Sequence, residues 1–234
     1  MDAFEVELTR RLTSAFAASR DPAAAAAMSA YMRNQFPFLG IPSPTRAQLQ
    51  REAFNGLPAP SEAGLLAAAT ALWVLAEREY QYAACALLAK YAKHLSPASL
   101  PKIRVFITTR SWWDTVDTLA SHVVGTMVAH HPPLSLEMDR WIEDENLWVI
   151  RTAILHQLRF KSNTDSRRLF RYCERQAPHP GFFIRKAIGW ALREYSKTDA
   201  AAVREFVGTH EQELSPLSRR EALLWLNGGR KKRA

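Results

Sequence analysis

The sequence predicts an all-α protein built from helical repeats, and three observations support this fold class. Almost every long segment of the 234-residue chain places apolar residues at helical spacing, and almost none alternates as a strand does. Proline, glycine and polar capping residues interrupt this pattern at alternating short and long intervals, which predicts pairs of helices. The third observation is an internal repeat.

The internal repeat has a period of about 34 residues. When residues 148–159 are laid over residues 182–193, Ile, Arg, Ala, Ile, Leu and Arg coincide. One step back along the chain reaches Asp117, and a further step of about 35 residues reaches Tyr82, whose neighbours have the same apolar rhythm. Helical repeats of this length stack as a solenoid, in which each unit buries its apolar face against its neighbours.

The elements follow in order from these signals. A first helix is predicted over residues 4–19, and a second runs from Asp21 and Pro22 to Tyr31, because Asp is a good N-cap and Pro fits the first turn. Three prolines and one glycine in residues 36–44 predict a loop. From Thr45 onward helices recur in pairs. The outer members are predicted at 61–75, 97–108, 134–143, 166–176 and 200–210, and the inner members at 78–93, 112–129, 147–161 and 182–195.

Composition predicts a single globular repeat domain over residues 1–234 with a basic, flexible tail at 228–234. The chain is 47% hydrophobic and 23% charged, which suffices for one continuous core. Cys85 and Cys173 lie far apart and form no CxxC pair, so they predict neither a disulfide framework nor a zinc finger. No apolar run approaches the roughly 20 residues of a membrane span, and residues 1–20 lack the apolar core of a signal peptide. We therefore expect a cytoplasmic protein without a membrane partner.

The net charge of +8 and the sequence pI near 9.8 suit a polyanionic partner, because Lys and Arg neutralise phosphates and release counterions. A well-solvated basic surface without a specific partner is the alternative explanation. The tail is more typical of a frayed end than of a specific binding element, although it could add nonspecific affinity.

The candidate site lies on the predicted inner helices. Trp113 and Asp117 are four residues apart, so they share one helical stripe. Arg151 and Arg185 occupy the positions equivalent to Asp117 in the next two repeats, and Trp190 follows within a turn and a half. These side chains are expected to converge on one cleft. Two alternatives stay open at this point: a tryptophan can be a core residue, and Asp117 and Arg151 can form a structural ion pair.

Five motifs resemble those of DNA alkylation repair glycosylases of the HEAT-like repeat type, and together they cover nearly the whole chain. They lie at residues 31–41, 111–122, 151–161, 183–199 and 214–222. The resemblance implies a C-shaped, right-handed α-solenoid with double-stranded DNA in a concave groove. It also implies hydrolytic excision of cationic N3- and N7-alkylated purines, such as 3-methyladenine and 7-methylguanine, in base excision repair, without deep flipping of the base. Trp113, Asp117, Arg151 and Trp190 match the family's functional pattern.

These residue types suit that chemistry. A cationic alkylpurine leaves the sugar readily, so a fixed carboxylate such as Asp117 would stabilise the oxocarbenium-like deoxyribose and orient the attacking water. The indoles of Trp113 and Trp190 would attract the cationic base. Arg151 would hold a phosphate near the lesion. Further contacts to the DNA backbone are expected from five cationic residues, some of which will be ordinary solvated charges: Arg159, Lys161, Arg185, Lys186 and Arg193.

The remaining expectations concern partners and alternatives. His130, His131 and His156 lack the spacing of a metal site, so we expect no metal and no cofactor. We also expect a monomer in the bacterial cytoplasm, associated with the nucleoid. A noncatalytic binder of damaged or branched DNA and a helical scaffold for protein interactions are the alternative functions.

Overall fold

The computed structural model describes residues 2–228, and all regular structure within them is helical. This confirms the all-α, helical-repeat prediction. The α-helices are α1 (Ala3–Ala18), α2 (Pro22–Tyr31), α3 (Ser43–Phe54), α4 (Glu62–Trp73), α5 (Arg78–Tyr91), α6 (Leu100–Thr108), α7 (Trp113–Thr118), α8 (Gly125–His130), α9 (Ser135–Trp141), α10 (Leu147–Leu155), α11 (Ser166–Arg175), α12 (Phe182–Tyr195), α13 (Ala200–Thr209) and α14 (Pro216–Leu223). A π-helical segment, Leu119–Val124, joins α7 to α8, and short 3₁₀ turns lie at Ala92–His94, Pro97–Ser99, Pro132–Leu134 and Lys161–Asn163.

The chain divides into two compact units, Met1–Leu95 and Ser96–Ala234, which we call unit 1 and unit 2. Each has its own buried apolar core. The expectation of one repeat domain over the whole chain stays a prediction. Residues 229–234, which hold most of the predicted basic tail, lie outside the described part of the chain.

Unit 1 is organised by α1, which packs against α3 and α4. Its buried face consists of four residues at intervals of four: Phe4, Leu8, Leu12 and Phe16. This spacing places them on one side of the helix. Asp2 caps the helix through a hydrogen bond from the Phe4 backbone N–H, and Glu5 completes a capping box.

The loop predicted at residues 36–44 is fixed by a buried carboxylate, and α3 begins within it at Ser43. Glu79 at the start of α5 accepts hydrogen bonds from the backbone N–H groups of Leu39, Gly40 and Ile41. Gly40 has a φ of +90°, and a Cβ there would lie 2.0 Å from the carbonyl oxygen of Asp21. The chain can therefore pass this point only without a side chain.

Unit 2 holds the inner helices that carry the candidate site. The helix α10 contacts α7, the π-helical segment and α12, and α12 contacts α14. Close packing on the α8 side depends on Gly125, where a Cβ would lie 2.2 Å from the carbonyl oxygen of His156. The inner helices α7, α10 and α12 consequently succeed one another, as the repeat predicts.

Among the differences between unit 2 and the prediction, two affect the inner helices. The inner helix expected over 147–161 ends at Leu155, because the Gln157 side chain bonds to both backbone groups of Asp165 and draws the chain into a loop. Lys161 in this loop has a φ of +52°, which no α-helical residue adopts. The helix α14 was not predicted, because Ser215 and Pro216 indicated only a break in the helical pattern. It packs against α12 and continues the series of inner helices.

Candidate active site

The helix that carries Asp117 changes its winding immediately after it. The turns of α7, the π-helical segment and α8 follow without a break from Trp113 to His130. The hydroxyl of Ser121 donates to the carbonyl oxygen of Asp117 at 2.7 Å, which satisfies a backbone acceptor where the π-helical winding begins. Single-turn π-helical insertions occur frequently at functional sites, and this one lies beside the candidate carboxylate.

Asp117 and Arg151 form a bidentate ion pair between α7 and α10. The Nε atom of Arg151 donates to Oδ1 of Asp117 at 2.7 Å, and Nη2 donates to Oδ2 at 2.9 Å. The Nη1 atom donates to the carbonyl oxygen of Phe183 at the start of α12. The Arg151 side chain is 4% exposed and that of Asp117 is 14% exposed. The ion pair that sequence reasoning left open is therefore present, and it joins three successive inner helices.

The protonation of Asp117 reflects two opposing influences. Burial raises the pKa of the Asp117 carboxyl above its ordinary value, and the nearby Asp114 carboxylate acts in the same direction. The hydrogen bonds and the charge of Arg151 lower the pKa, but they do not cancel the burial. Arg151 is therefore the main group that stabilises the ionised carboxylate in this place.

A cavity of about 280 Å³ opens beside Asp117. Its lining comes from α7 with the π-helical segment, from the turn after α10 and from α12: Asp117, Thr118, Ser121, His122, Leu158, Arg159, Trp190 and Glu194. The structure thus brings together three of the predicted residues, Asp117, Trp190 and Arg159. Trp113 lies one turn before Asp117 at the start of α7, outside this lining.

His122 and Arg159 interact at the rim of this cavity. The Nη1 atom of Arg159 donates to Nε2 of His122 at 3.2 Å. Burial lowers the pKa of His122, and the charge of Arg159 lowers it further. Sequence reasoning missed His122, although the 34-residue offset aligns it with His156 and then with Trp190. The repeat therefore contained the information needed to predict that His122 lies at the site.

The other predicted cations do not all face the cavity. Lys186 and Arg193 both pair with Glu221 of α14, at 2.9 and 2.7 Å. The Nε atom of Arg185 donates to the carbonyl oxygen of His179. Lys161 lines a separate cavity of about 180 Å³, beyond Leu158 and Glu194.

An aromatic cluster at the start of the inner helices was also missed by sequence reasoning. The ring centroids of Trp112 and Phe183 lie 5.0 Å apart, those of Trp148 and Phe183 lie 4.9 Å apart, and those of Trp112 and Trp148 lie 5.9 Å apart. Each ring comes from the beginning of a different inner helix. Such contacts fix the helices along their axes, and so they hold Asp117 opposite Arg151.

A protein-family model matches most of the chain. The model of the family described as DNA alkylation repair enzyme matches residues 12–226, which include every residue of the candidate site. The chain belongs to the DNA alkylation repair enzyme family. The resemblance drawn from the sequence is thereby confirmed, and with it a role in the repair of alkylated DNA.

A solved structure supports this membership in the DNA alkylation repair family. It is described as a predicted DNA alkylation repair enzyme from Enterococcus faecalis, and it is 34% identical in sequence. The match covers 88% of this chain and 96% of that chain, with a TM-score of 0.79. A search of curated proteins gave no significant match.

Three further features concern membrane spans, metal ligands and cysteines in the described residues. Among residues 2–228, no helix is long and apolar enough to cross a membrane, and no three His, Cys, Asp or Glu side chains are grouped to hold a metal ion. Cys85 and Cys173 are both buried and are not joined in a disulfide, and burial raises the pKa of the Cys173 thiol. A thiol so shielded is a poor nucleophile.

Proposed function

We propose that this protein is a DNA glycosylase that excises cationic N3- and N7-alkylated purines from duplex DNA by hydrolysing the N-glycosidic bond. The proposal rests above all on the Asp117 carboxylate, which Arg151 fixes through two hydrogen bonds beside a cavity that Trp190 also lines. We further propose that the protein works as a monomer, without a metal or a cofactor, in the cytoplasm.

The fixed carboxylate supplies the electrostatic part of the reaction. Positive charge develops on the deoxyribose as the bond to the purine breaks, and a preorganised anion stabilises it without having to reorient. Because Asp117 is held by Nε and Nη2 of Arg151, its position is set before the substrate arrives. The cationic purine is a good leaving group, so no acid is needed to protonate it.

Arg151 acts in this proposal mainly by positioning Asp117. Its third nitrogen, Nη1, is engaged with the carbonyl oxygen of Phe183, and only 4% of the side chain is exposed. A phosphate contact, as expected from the sequence, would require this hydrogen bond to be exchanged. The geometry favours the positioning role.

We assign the discrimination against normal bases to the aromatic side chains. The indole of Trp190 lines the cavity, and Trp113 lies one turn before Asp117 on the same helix. A cation over an indole face gains roughly 0.5 to 2 kcal/mol, whereas a neutral purine gains less. A normal purine is also a much poorer leaving group.

Phosphate binding is assigned to two exposed and three half-buried cations. Arg159 is exposed at the cavity, and Lys161 is exposed in the loop after α10. Arg185, Lys186 and Arg193 contribute further backbone contacts on α12, where Glu221 orders two of them. We propose that the base is excised while it stays in or near the stack, because the cavity is formed at the surface of the inner helices.

The test is the release of 7-methylguanine and 3-methyladenine from methylated duplex DNA, with a chelator present and Asp117→Asn measured alongside. Wild type should release both bases. The variant should be about 100- to 1,000-fold slower, as when a preorganised stabilising group is removed, with its affinity for duplex DNA retained. No release by wild type, together with retained binding, would instead support a noncatalytic binder of damaged DNA. A salt-independent affinity for DNA would support the protein scaffold.

A further inference from the structure

Hydrolysis of the glycosidic bond releases a proton from the attacking water, and the structure shows that Asp117 is poorly placed to take it. Both carboxylate oxygens already accept hydrogen bonds from Arg151. Protonating Asp117 would neutralise the carboxylate and weaken both charge-assisted hydrogen bonds from Arg151, which favours the anion. A separate proton acceptor in the same cavity would relieve Asp117 of this task.

His122 is the group in the cavity lining that meets this need. It lies on the π-helical segment immediately after α7, and its half-buried ring lines the cavity together with Asp117 and Trp190. Because Nε2 accepts a hydrogen bond from Arg159, this nitrogen carries no proton, and the neutral ring carries its proton on Nδ1. The lone pair of Nε2 can therefore accept a proton once the hydrogen bond from Arg159 is broken.

The hydrogen bond from Arg159 can be exchanged for a phosphate. Arg159 lies in the turn that follows α10, and its side chain is exposed. A guanidinium binds a phosphodiester with full charge, which is stronger than its hydrogen bond to a neutral imidazole. When the DNA backbone attracts Arg159, Nε2 of His122 loses its donor and becomes available.

We propose that His122 accepts the proton of the attacking water through Nε2, and that Arg159 covers this nitrogen until DNA binds. This inference rests on the proposed glycosylase function. In the step, a lone pair of the water oxygen forms the bond to C1′ of the deoxyribose. The C1′–N bond breaks, and its electron pair returns to the cationic purine, which leaves neutral. The proton lost by the water oxygen moves to Nε2, and His122 becomes an imidazolium ion.

The charged groups around His122 agree with this assignment. Asp117 lies on the same continuous helix, Arg151 and Arg159 come from α10 and the turn after it, and Glu194 faces the cavity from α12. Glu194 accepts a hydrogen bond from Lys197, one turn further along the chain. Burial first, and then Arg159, lower the pKa of His122, so the ring is neutral at physiological pH and able to accept a proton.

The test is a pH profile of single-turnover excision of 7-methylguanine with enzyme below saturation, so that the rate reports the groups of the free enzyme, for wild type, His122→Asn and Arg159→Leu. Asparagine keeps a polar side chain but cannot take up the proton, so His122→Asn should be about 100-fold slower at pH 7.5, the lower range for a lost acid–base group. The decline in rate that His122 protonation causes at acid pH should disappear. In Arg159→Leu this decline should move to higher pH, because the charge that depresses the histidine pKa is gone.

His130→Asn is the matched control, since His130 is an exposed histidine at the end of α8 in the same continuous helix. Its profile should match that of wild type. Rates within twofold of wild type and an unchanged profile for His122→Asn would overturn the inference while leaving the glycosylase proposal intact. If His122→Asn does not fold, an unshifted profile in Arg159→Leu overturns it equally. Absence of base release by wild type would remove both proposals together.

Discussion

Replacing Arg151 by methionine tests how far the fold itself depends on the ion pair. Methionine fills the space of the aliphatic stem but leaves Asp117 as an unpaired carboxylate that is 14% exposed. Removing one partner of a buried ion pair destabilises a protein by about 3–5 kcal/mol, because the other charge stays desolvated. The loss of the Nη1 bond to Phe183 adds to this by freeing the start of α12. We expect Arg151→Met to lower the free energy of unfolding by that amount at pH 7.5.

The loss of stability should depend on pH in a defined direction. Burial already raises the pKa of Asp117 in the folded protein, and removing Arg151 raises it further. A carboxyl whose folded pKa exceeds its unfolded pKa makes the folded state more stable as pH falls through the folded pKa. The deficit of Arg151→Met should therefore shrink between pH 7.5 and pH 5, since the protonated carboxyl is less costly to bury.

The assay is urea unfolding followed by tryptophan fluorescence. Of the seven tryptophans only Trp73 lies in unit 1, so the signal reports mainly on unit 2. A matched double variant, Asp117→Leu with Arg151→Met, should regain most of the lost stability because no charge is left unpaired. A deficit below about 1 kcal/mol, or one that does not change with pH, would show that the pair behaves as an exposed salt bridge and would refute the argument.

Two further substitutions test the cavity and the helix packing. Trp190→Leu should slow the single-turnover excision of 7-methylguanine by roughly 2- to 30-fold, which is equivalent to the 0.5 to 2 kcal/mol of a cation–π contact. Its affinity for duplex DNA should be unchanged. An unaltered rate would show that the indole has no part in base recognition. Gly125→Ala should destabilise the protein by about 1–3 kcal/mol in thermal unfolding, because the added Cβ would meet the His156 carbonyl oxygen at 2.2 Å. Gly208→Ala is its control, since nothing lies within 4 Å of a Cβ there, and a loss equal to that of Gly125→Ala would contradict the explanation.

Much of the fold could be predicted from local signals. The helix α12 has the predicted bounds, because proline and glycine precede it and the polar run 196–199 follows it. Asp21 caps α2 by accepting hydrogen bonds from the N–H groups of Ala23 and Ala24, as its place before Pro22 predicts. Local chemistry decides such boundaries, so a single sequence contains the information.

The site could be predicted only in part. The 34-residue offset placed Arg151 next to Asp117, because equivalent positions of a helical repeat become neighbours. The offset could not show the π-helical winding after α7, which no residue type signals and which accompanies the entry of His122 into the cavity. Nor could it show that Glu221 holds Lys186 and Arg193, because α14 was not recognised as the next inner helix.

The buried ion pair of Asp117 and Arg151 connects the fold to the proposed excision function. In a solenoid, side chains at equivalent positions of neighbouring repeats meet at the core of the helix stack, where apolar residues would pack as well and avoid desolvation. A scaffold for protein interactions has no need of an ion pair there. An excision site does, because a carboxylate stabilises developing positive charge only when it is ionised, fixed and partly shielded from water. Arg151 favours the ionised form of Asp117 and fixes its position, and burial among α7, α10 and α12 provides the third condition.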